Sequence, residues 1–441
     1  MASLESVARV PAQRHESMTS VDLGGSSPGT LSERNLFTNV RAASLPHKAD
    51  KEAWGNCSQV REVYEELKAR IEGPQLQFDR YSNPILEKVR ASLAAGVSIT
   101  DEVQAIRDIV SYFEAHAGQP LIDSKVKYRL RTPELFSAIK LCQMLKYNRD
   151  ASALTEVFVH ADAVRIAGCD IAARDIFVQH WHPVGHPSGR TVVVTPGYQE
   201  TGRCFSELAA ELTNRGHHVF VLDNQAAGQT GKGNGSIDSG FGLARDIAAV
   251  ARCVGRDQKL SLVGNSICGG ATFALMALRA DDQWPQSLNF ADPDKVILLS
   301  PFFELAPGNG WINFLSKIPL VNRISMPSSG IPVLTRDPES ARALSACIVK
   351  ENVEVQLSAM SAAKDDFDYA RRIAREKRFQ FPEIRSIHGT GDTLASFEAD
   401  REVCQSVGTK PPTERDTSNH VLEFEPDVCK FVRYHVEGAI S

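Results

Sequence analysis

From about residue 156 to the end of the chain, short apolar segments typical of β-strands alternate with segments of helical pattern. The apolar segments include TVVVT, HVFVL, LSLVG and KVILL, and the helical segments between them include FSELAAELTNRG and LARDIAAVARCVG. Strands that alternate with helices need crossover connections, which join the strands into a mainly parallel sheet flanked by helices. The alternation therefore predicts an α/β fold for residues 156–441, with its functional loops at the carboxyl edge of the sheet.

The alternation is interrupted after Phe303, and the interrupting segment, about 303–378, has a mostly helical pattern. Several apolar residues of this segment share one face at helical spacing: Trp311, Phe314, Leu315 and Ile318. We expect the segment to form a helical cap over the carboxyl edge. The apolar stripe has two interpretations, packing against the core or facing a substrate pocket or a lipid surface.

Two further regions precede the alternating part of the chain. Residues 1–50 are rich in Ser, Gly, Thr, Asn and Pro, which predicts a disordered or loosely attached tail. Residues 51–155 have a helical pattern, with breaks such as Gly73-Pro74 and a capping residue at Thr100. We expect this helical extension to pack against or cover the domain that follows, since no chemistry is visible in it.

The composition excludes several classes of protein. The net charge is -5 and the charges are mixed, so nothing favours a nucleic acid partner. The nine cysteines include no CxxC pair, which argues against a disulfide framework and a thiolate zinc site and favours a reducing compartment. With no long apolar segment and no apolar leader, we expect a cytoplasmic protein without a transmembrane helix, although another type of export signal stays open.

The segment LSLVGNSICGGATFALMA has the pattern of a nucleophile elbow, a strand followed by a tight turn and a helix. Ser266 stands at the turn, with Gly264 two residues before it and the small residue Cys268 two residues after it. The turn would lift the hydroxyl clear of the sheet, and the helix N-terminus would favour negative charge on the attacked oxygen. The alternative is a plain strand-to-helix loop of a Rossmann-like domain, in which glycines only relieve crowding.

A nucleophilic serine needs a base and an acid that orients the base. Asp392 follows a late strand in IHGTGDTLAS, and His420 comes 28 residues later in DTSNHVLEF. The three residues therefore occur in the order Ser, acid, His, which is the order in folds that carry a nucleophile elbow. The oxyanion hole needs two backbone N–H groups, which we expect from Ile267 and from Tyr198 in the loop after TVVVTPG.

The remaining histidines have simpler interpretations. His388 lies inside the strand before Asp392 and is expected to be structural, and the histidine pair His217-His218 is expected to pack or face solvent. His180, His182 and His186 form a cluster in sequence, but no carboxylate or cysteine is spaced to complete a metal site. We therefore predict no metal and no organic cofactor.

In these stretches the chain resembles the monoacylglycerol lipase and lysophospholipase group of α/β hydrolases, over about residues 170–435. The matching stretches occur in order: TPGYQETGRCFSELAAEL, VLDNQAAGQTGKG, LVGNSICGGATFALMA, VILLSPFFEL, HGTGDTLAS and SNHVLEF. The resemblance implies the α/β-hydrolase fold, the triad of Ser266, Asp392 and His420, and a cap at about 303–378. The chain departs from the family at three positions, where Pro196, Asn265 and Cys268 replace the usual His, His and Gly.

The function expected from these residues is hydrolysis of a carboxylic ester of an acyl lipid, such as a monoacylglycerol or lysophospholipid. Trp311, Phe314 and Leu315 are the candidate substrate-binding residues, and the cap could also touch a membrane surface peripherally. Thioester hydrolysis or acyl transfer would use the same triad, and a non-catalytic binding protein on the same fold is the third possibility. The sequence does not indicate an oligomeric state.

Overall fold

The computed structural model describes the backbone of residues 40–42 and residues 154–198, 200–230, 236–254, 259–279, 284–307, 325–326, 355–377, 382–416, 418–423 and 425–438. Of the predicted tail, residues 40–42 are described and form a strand, and the rest of the tail lies outside the described residues, as does most of the predicted N-terminal helical region. Trp311, Phe314 and Leu315 of the predicted cap lie outside them too.

The described residues contain thirteen strands, and strands alternate with helices over residues 190–299 and again over residues 355–437, in the part of the chain where the sequence predicts an α/β fold. The strands are β1 Val40–Ala42, β2 Leu154–Ala161, β3 Val164–Ile166, β4 Cys169–Ile171, β5 Arg174–Trp181, β6 Arg190–Thr195, β7 His218–Leu222, β8 Lys259–Asn265, β9 Lys295–Leu299, β10 Ser325–Met326, β11 Val355–Gln356, β12 Glu383–Gly389 and β13 Thr413–Arg415.

Nine of these strands form one sheet in the order β1-β2-β5-β7-β6-β8-β9-β12-β13. The six strands from β7 to β13 are parallel, whereas β1, β2 and β5 pair antiparallel at one side. The remaining described strands form two short antiparallel pairs, β3 with β4 and β10 with β11. The mainly parallel sheet expected from the alternation is therefore present, and its carboxyl edge is formed by the ends of β6, β7, β8, β9 and β12.

Six helices are described: α1 Ser206–Thr213, α2 Gly240–Cys253, α3 Ser266–Leu278, α4 Leu357–Lys377, α5 Phe397–Ser406 and α6 Pro426–Glu437. Short 3-10 turns lie at Gly202–Phe205 and Gln286–Leu288. The Ser239 and Ser396 side chains cap α2 and α5 by accepting from backbone N–H groups in their first turns. None of the described helices combines the length and the apolar character that crossing a membrane requires.

The central strands are buried on both faces, which explains why they are apolar at nearly every position. Val193, Phe220 and Leu262 belong to one hydrophobic cluster with residues of α2 and α3. The alternate residues, such as Val192 and Val219, are equally buried but lie outside that cluster. They face the other side of the sheet, where α1 packs against β7, and α6 against β9 and α1.

The described carboxyl-terminal part of the predicted cap, 303–378, is helix α4, and this helix is part of the hydrophobic core. It packs against α2 and α3. The Phe367 ring is fully buried and lies so close to Gly240 and Gly270 that a Cβ on either glycine would be 2.7 Å from it. Because these glycines lie near the N-termini of α2 and α3, Phe367 fixes α4 beside the carboxyl edge of the sheet.

Replacement of Phe367 by alanine should therefore destabilise the whole domain. We expect Phe367→Ala to lower the free energy of unfolding by about 3–5 kcal/mol, because it removes a fully buried aromatic ring and leaves a cavity. Tyr434→Ala is the control, since Tyr434 on α6 is 53% exposed and its loss should cost no more than about 1 kcal/mol. Equal losses in denaturant unfolding of the two variants would show that α4 is not part of the core.

Candidate active site

Ser266 lies at a sharp turn between β8 and α3. It is the first residue of the helix, and its backbone has a φ of +52°, in the left-handed region that side-chain-bearing residues rarely adopt. The backbone carbonyl of Ser266 accepts a hydrogen bond from Phe302 N at 2.8 Å, which ties the turn to the end of β9. The predicted strand, elbow and helix are therefore present, and the turn directs the Ser266 side chain away from the sheet.

Close packing around the turn explains its small residues. A Cβ on Gly264 would lie 2.4 Å from Thr272 Oγ1 and 2.6 Å from the Cys268 carbonyl oxygen. Cys268, which replaces the family's second glycine, is 1% exposed, so its small side chain fits into the packed core. Burial raises the pKa of the Cys268 thiol above its ordinary value, so this thiol is not ionised beside the serine.

The structure brings Ser266, His420 and Asp392 together in one hydrogen-bonded chain. Ser266 Oγ lies 2.7 Å from His420 Nε2, and His420 Nδ1 lies 2.7 Å from Asp392 Oδ2. Asp392 follows β12, and His420 lies in the loop between β13 and α6. The second carboxylate oxygen of Asp392 accepts hydrogen bonds from the backbone N–H groups of Leu394 and Ala395, at 2.8 and 2.9 Å. The carboxylate is thus held from two sides and faces the imidazole.

The loop that carries His420 is positioned by direct contact with the end of β12. A Cβ on Gly389 would lie 1.9 Å from the carbonyl oxygen of Asn419 and 2.5 Å from that of Ser418. Gly391 N donates to the Ser418 carbonyl at 3.2 Å. Only glycine at position 389 allows this approach, which places His420 beside Asp392.

A second histidine lies behind the Asp392 carboxylate. His388 Nε2 is 3.2 Å from Asp392 Oδ2, and His388 Nδ1 is 3.0 Å from Asp400 Oδ2 on α5. Ser386 Oγ also donates to Asp400 Oδ2, at 2.7 Å. Both His388 and Asp400 are completely buried. His388 was expected to be structural, and it does lie inside β12, but it also contacts the carboxylate that orients His420.

The two carboxylates decide the charge on His388. Burial alone would lower the pKa of His388, but the contacts with Asp392 and Asp400 outweigh burial and raise this pKa to about 9. Burial also disfavours the charged form of Asp392 and would by itself raise the pKa of Asp392. The neighbouring His420 and His388 more than offset burial, so the pKa of Asp392 lies well below its usual range. At neutral pH, Asp392 is therefore ionised between two imidazole rings, of which His388 is protonated.

The loop after β6 lies directly against the serine. A Cβ on Gly197 would be 3.1 Å from Ser266 Cβ. Gly197 N donates to Glu200 Oε2 at 2.6 Å, and the Asn224 side chain donates to the Gly197 carbonyl oxygen. Tyr198 is the next residue of this loop, and Ile267 is the residue after Ser266. The two expected oxyanion donors therefore belong to the two backbone segments that flank Ser266.

The departures from the family at Asn265 and Pro196 belong to one buried polar cluster. Asn265 Nδ2 donates to Glu200 Oε2 at 2.8 Å, the same oxygen that accepts from Gly197 N. Asn224 Nδ2 lies 3.3 Å from the Pro196 carbonyl oxygen. Glu200 is 5% exposed. The sequence did not predict that Glu200 and Asn224 belong to this cluster. The position of Glu200, three residues after the Pro196-Gly197 turn, was the one feature of the sequence that could have indicated it.

Comparison with known proteins places the chain in a family. Residues 186–427, more than half of the chain, match the hydrolase family described as serine aminopeptidase, S33. The chain belongs to this family. This membership confirms the predicted α/β-hydrolase fold and the prediction that the protein is a serine hydrolase. A comparison with curated protein sequences gives no match.

Several solved structures are similar to the chain at low sequence identity. A monoacylglycerol lipase of Paleococcus ferrophilus is 18% identical with a TM-score of 0.46, over 59% of this chain and 97% of the lipase. A soluble variant of monoglyceride lipase from Saccharomyces cerevisiae, in complex with a substrate analogue, is 13% identical with a TM-score of 0.49, over 64% and 95%. A thioesterase domain from the curacin biosynthetic pathway is 14% identical with a TM-score of 0.40, over 64% and 99%.

The charge on His388 should make the stability of this S33-family domain depend on pH. A pKa raised from 6.5 to about 9 in the folded state stabilises the fold fully below about pH 6.5, and this contribution is lost as the pH rises through about 9. His388→Gln removes the titrating group. We expect the wild type to exceed the variant in unfolding free energy by an amount that shrinks between about pH 6.5 and pH 9.

Denaturant unfolding at several pH values measures this difference, with His186→Gln as the control because His186 is exposed. The control should follow the wild type at each pH. A difference between wild type and His388→Gln that stays constant over this range would contradict a protonated His388.

Proposed function

We propose that the protein hydrolyses carboxylic esters through an acyl-enzyme formed on Ser266, with His420 as general base and Asp392 as the orienting acid. The hydrogen-bonded chain from Ser266 Oγ through His420 to Asp392 carries this proposal, because both distances are 2.7 Å and the serine stands at a nucleophile elbow.

The geometry supports the following sequence of steps. His420 Nε2 accepts the Ser266 proton as Oγ attacks the ester carbonyl carbon, and the ionised Asp392 stabilises the imidazolium that forms. The backbone N–H groups of Tyr198 and Ile267 would donate to the oxyanion of the tetrahedral intermediate. His420 then returns the proton to the leaving alcohol, and the acyl group stays on Ser266. In the second half, His420 deprotonates a water molecule as the water oxygen attacks the acyl carbon. His420 then returns that proton to Ser266 Oγ as the bond from Oγ to the acyl carbon breaks, which releases the carboxylic acid and restores the free enzyme.

The buried Glu200 bears on the choice between esters and peptides. An aminopeptidase must recognise the cationic amino group of its substrate, and Glu200 is the carboxylate that lies in the loop against Ser266. Its Oε2 atom already accepts hydrogen bonds from Gly197 N and Asn265 Nδ2. This carboxylate therefore shapes the oxyanion loop, and we favour a neutral ester over an aminoacyl substrate.

We further propose that the acyl group is that of a lipid, such as a monoacylglycerol or a lysophospholipid. The support is the sequence resemblance and the apolar stripe of Trp311, Phe314 and Leu315 in the segment that interrupts the sheet topology. Thioester hydrolysis and acyl transfer to another alcohol would use the same residues and differ only in the leaving group or the acceptor.

Ser266→Ala should abolish both ester turnover and covalent labelling by a fluorophosphonate probe. We expect the rate to fall by at least about 10⁴-fold, because removal of the nucleophile disables the whole triad. Ser406→Ala on α5 is the control, since its hydroxyl donates only to the Val403 carbonyl in the hydrogen bonds described. Retained labelling in Ser266→Ala, with labelling unchanged in the control, would refute the proposed nucleophile.

A panel of substrates tests the acyl class. We expect kcat/KM for p-nitrophenyl esters to rise with acyl chain length, by up to about fourfold per methylene, because each buried CH₂ contributes about 0.8 kcal/mol until the pocket is full. Matched acyl thioesters and aminoacyl anilides should react more slowly than the best ester.

The double variant Trp311→Ala with Phe314→Ala shows whether the apolar stripe forms the acyl site. A loss of chain-length preference at retained stability would place the stripe at the acyl site. A loss of stability with the same preference would show that the stripe belongs to the core. A wild type without chain-length preference, or one that prefers aminoacyl anilides, would overturn the lipid ester assignment.

A further inference from the structure

Three histidine rings converge at the edge of the sheet opposite to Ser266. His180 lies in β5, His182 follows β5, and His218 is the first residue of β7. One ring nitrogen from each lies within 4.8 Å of the other two. No other group of three or more His, Cys, Asp or Glu side chains among the described residues has this geometry.

The pairing of β5 with β7 explains this convergence. The strands are antiparallel, with His180 opposite Phe220 and Trp181 opposite Val219, so the same register continues with His182 beside His218. Residues 180 and 182 lie on one face of the sheet, because side chains alternate along a strand. The sequence cluster had included His186 instead, but His186 is exposed and is not part of the group. The third ring comes from a neighbouring strand, which sequence spacing could not show.

The rings are held in contact by the fold. His180 and His218 are buried, whereas His182 is half-buried, so the group borders the surface. His180 Nε2 lies 3.0 Å from His218 Nδ1. The His180 ring also stacks on Phe220, with 4.1 Å between ring centroids. These contacts restrict the rings before any ligand arrives.

We propose that His180, His182 and His218 bind a divalent transition-metal ion, zinc being the ion that we assign. Imidazole nitrogen is a preferred ligand of zinc, and three histidines with one open position form a known type of zinc site. Nitrogens about 2.0–2.1 Å from a tetrahedral ion lie about 3.4 Å apart. The observed separations, 3.0 Å for one pair and no more than 4.8 Å for the others, need only small ring movements to reach this value.

A polar side chain borders the His182 ring. Thr155 Oγ1 lies 2.8 Å from His182 Nε2. A histidine that binds a metal commonly donates its second ring N–H to an oxygen outside the metal shell, and Thr155 offers such an oxygen.

The position of the group assigns it a structural role. In the sheet register, His218 is level with Thr191 of β6 and with Leu260 of β8, six residues before Ser266. Six strand residues span about 20 Å, so the ion would take no part in acyl transfer. It would join the carboxyl end of β5 to the start of β7, at the junction of the antiparallel and parallel parts of the sheet. This inference does not depend on the proposed esterase activity.

The competing explanation is a metal-free pair of hydrogen-bonded imidazoles packed on Phe220. Calorimetric titration of the full chain with ZnCl₂, after treatment with a chelator, separates the two explanations. The variants are His182→Gln, whose half-buried ring can be removed without opening the core, and His218→Gln. His186→Gln is the matched control. All variants keep the same cysteines, so a difference between them reports on the histidines.

We expect the wild type and His186→Gln to bind one zinc ion per chain and to gain thermal stability on binding. His182→Gln and His218→Gln should bind zinc at least about 100-fold more weakly and lose the zinc-dependent gain in melting temperature. His182→Gln alone decides the question if His218→Gln does not fold. Absence of stoichiometric binding in the wild type, or equal affinity in wild type and His182→Gln, would overturn the proposal.

Discussion

The left-handed backbone of Ser266 is the constraint on which the site depends. A non-glycine residue in this region costs about 1–3 kcal/mol, so the surroundings must hold it there. They do so through the buried strand β8, the tightly packed first turn of α3, and the hydrogen bond from Phe302 N to the Ser266 carbonyl. Larger side chains at Gly264 or Gly269 would collide with Thr272 or Pro301. The core on both sides of the turn therefore holds the Ser266 hydroxyl beside His420 at the end of the sheet.

A chain of buried polar groups connects this hydroxyl to the far side of β12. The chain passes from Ser266 through His420, Asp392 and His388 to Asp400. The ionised Asp392 carboxylate lies between His388 and His420, and it faces the ring on which a positive charge would develop in the proposed mechanism. These contacts join β12, α5 and the loop of His420, so the residues that set the charge beside His420 also hold these three elements together.

The sequence was sufficient to predict Ser266, Asp392 and His420 as a group. Ser266 and Asp392 each follow a recognisable strand, parallel strands end at the same edge, and His420 comes after them in the expected order, before the last helix. The alternation of strands and helices could not show that β7 lies between β5 and β6, since strand order depends on contacts between distant segments. The role of His388 was missed for the same reason. It requires Asp400 on α5, and the sequence FEADREVCQS has too few apolar residues to be recognised as a packed helix.

The polar side chains with proposed functions lie at the two ends of the strands of this sheet, because the interior of the sheet is apolar. The central strands β6, β7, β8 and β9 are buried on both faces, and an unpaired polar side chain in their interior would cost several kcal/mol. At the carboxyl edge, the loops of the parallel strands supply Ser266, Asp392 and His420. At the amino edge, the antiparallel strand β5 brings its own carboxyl end, with His180 and His182, beside the start of β7. The reversal of one strand thus explains why histidines from two distant segments meet at the edge that parallel α/β sheets usually leave without chemistry.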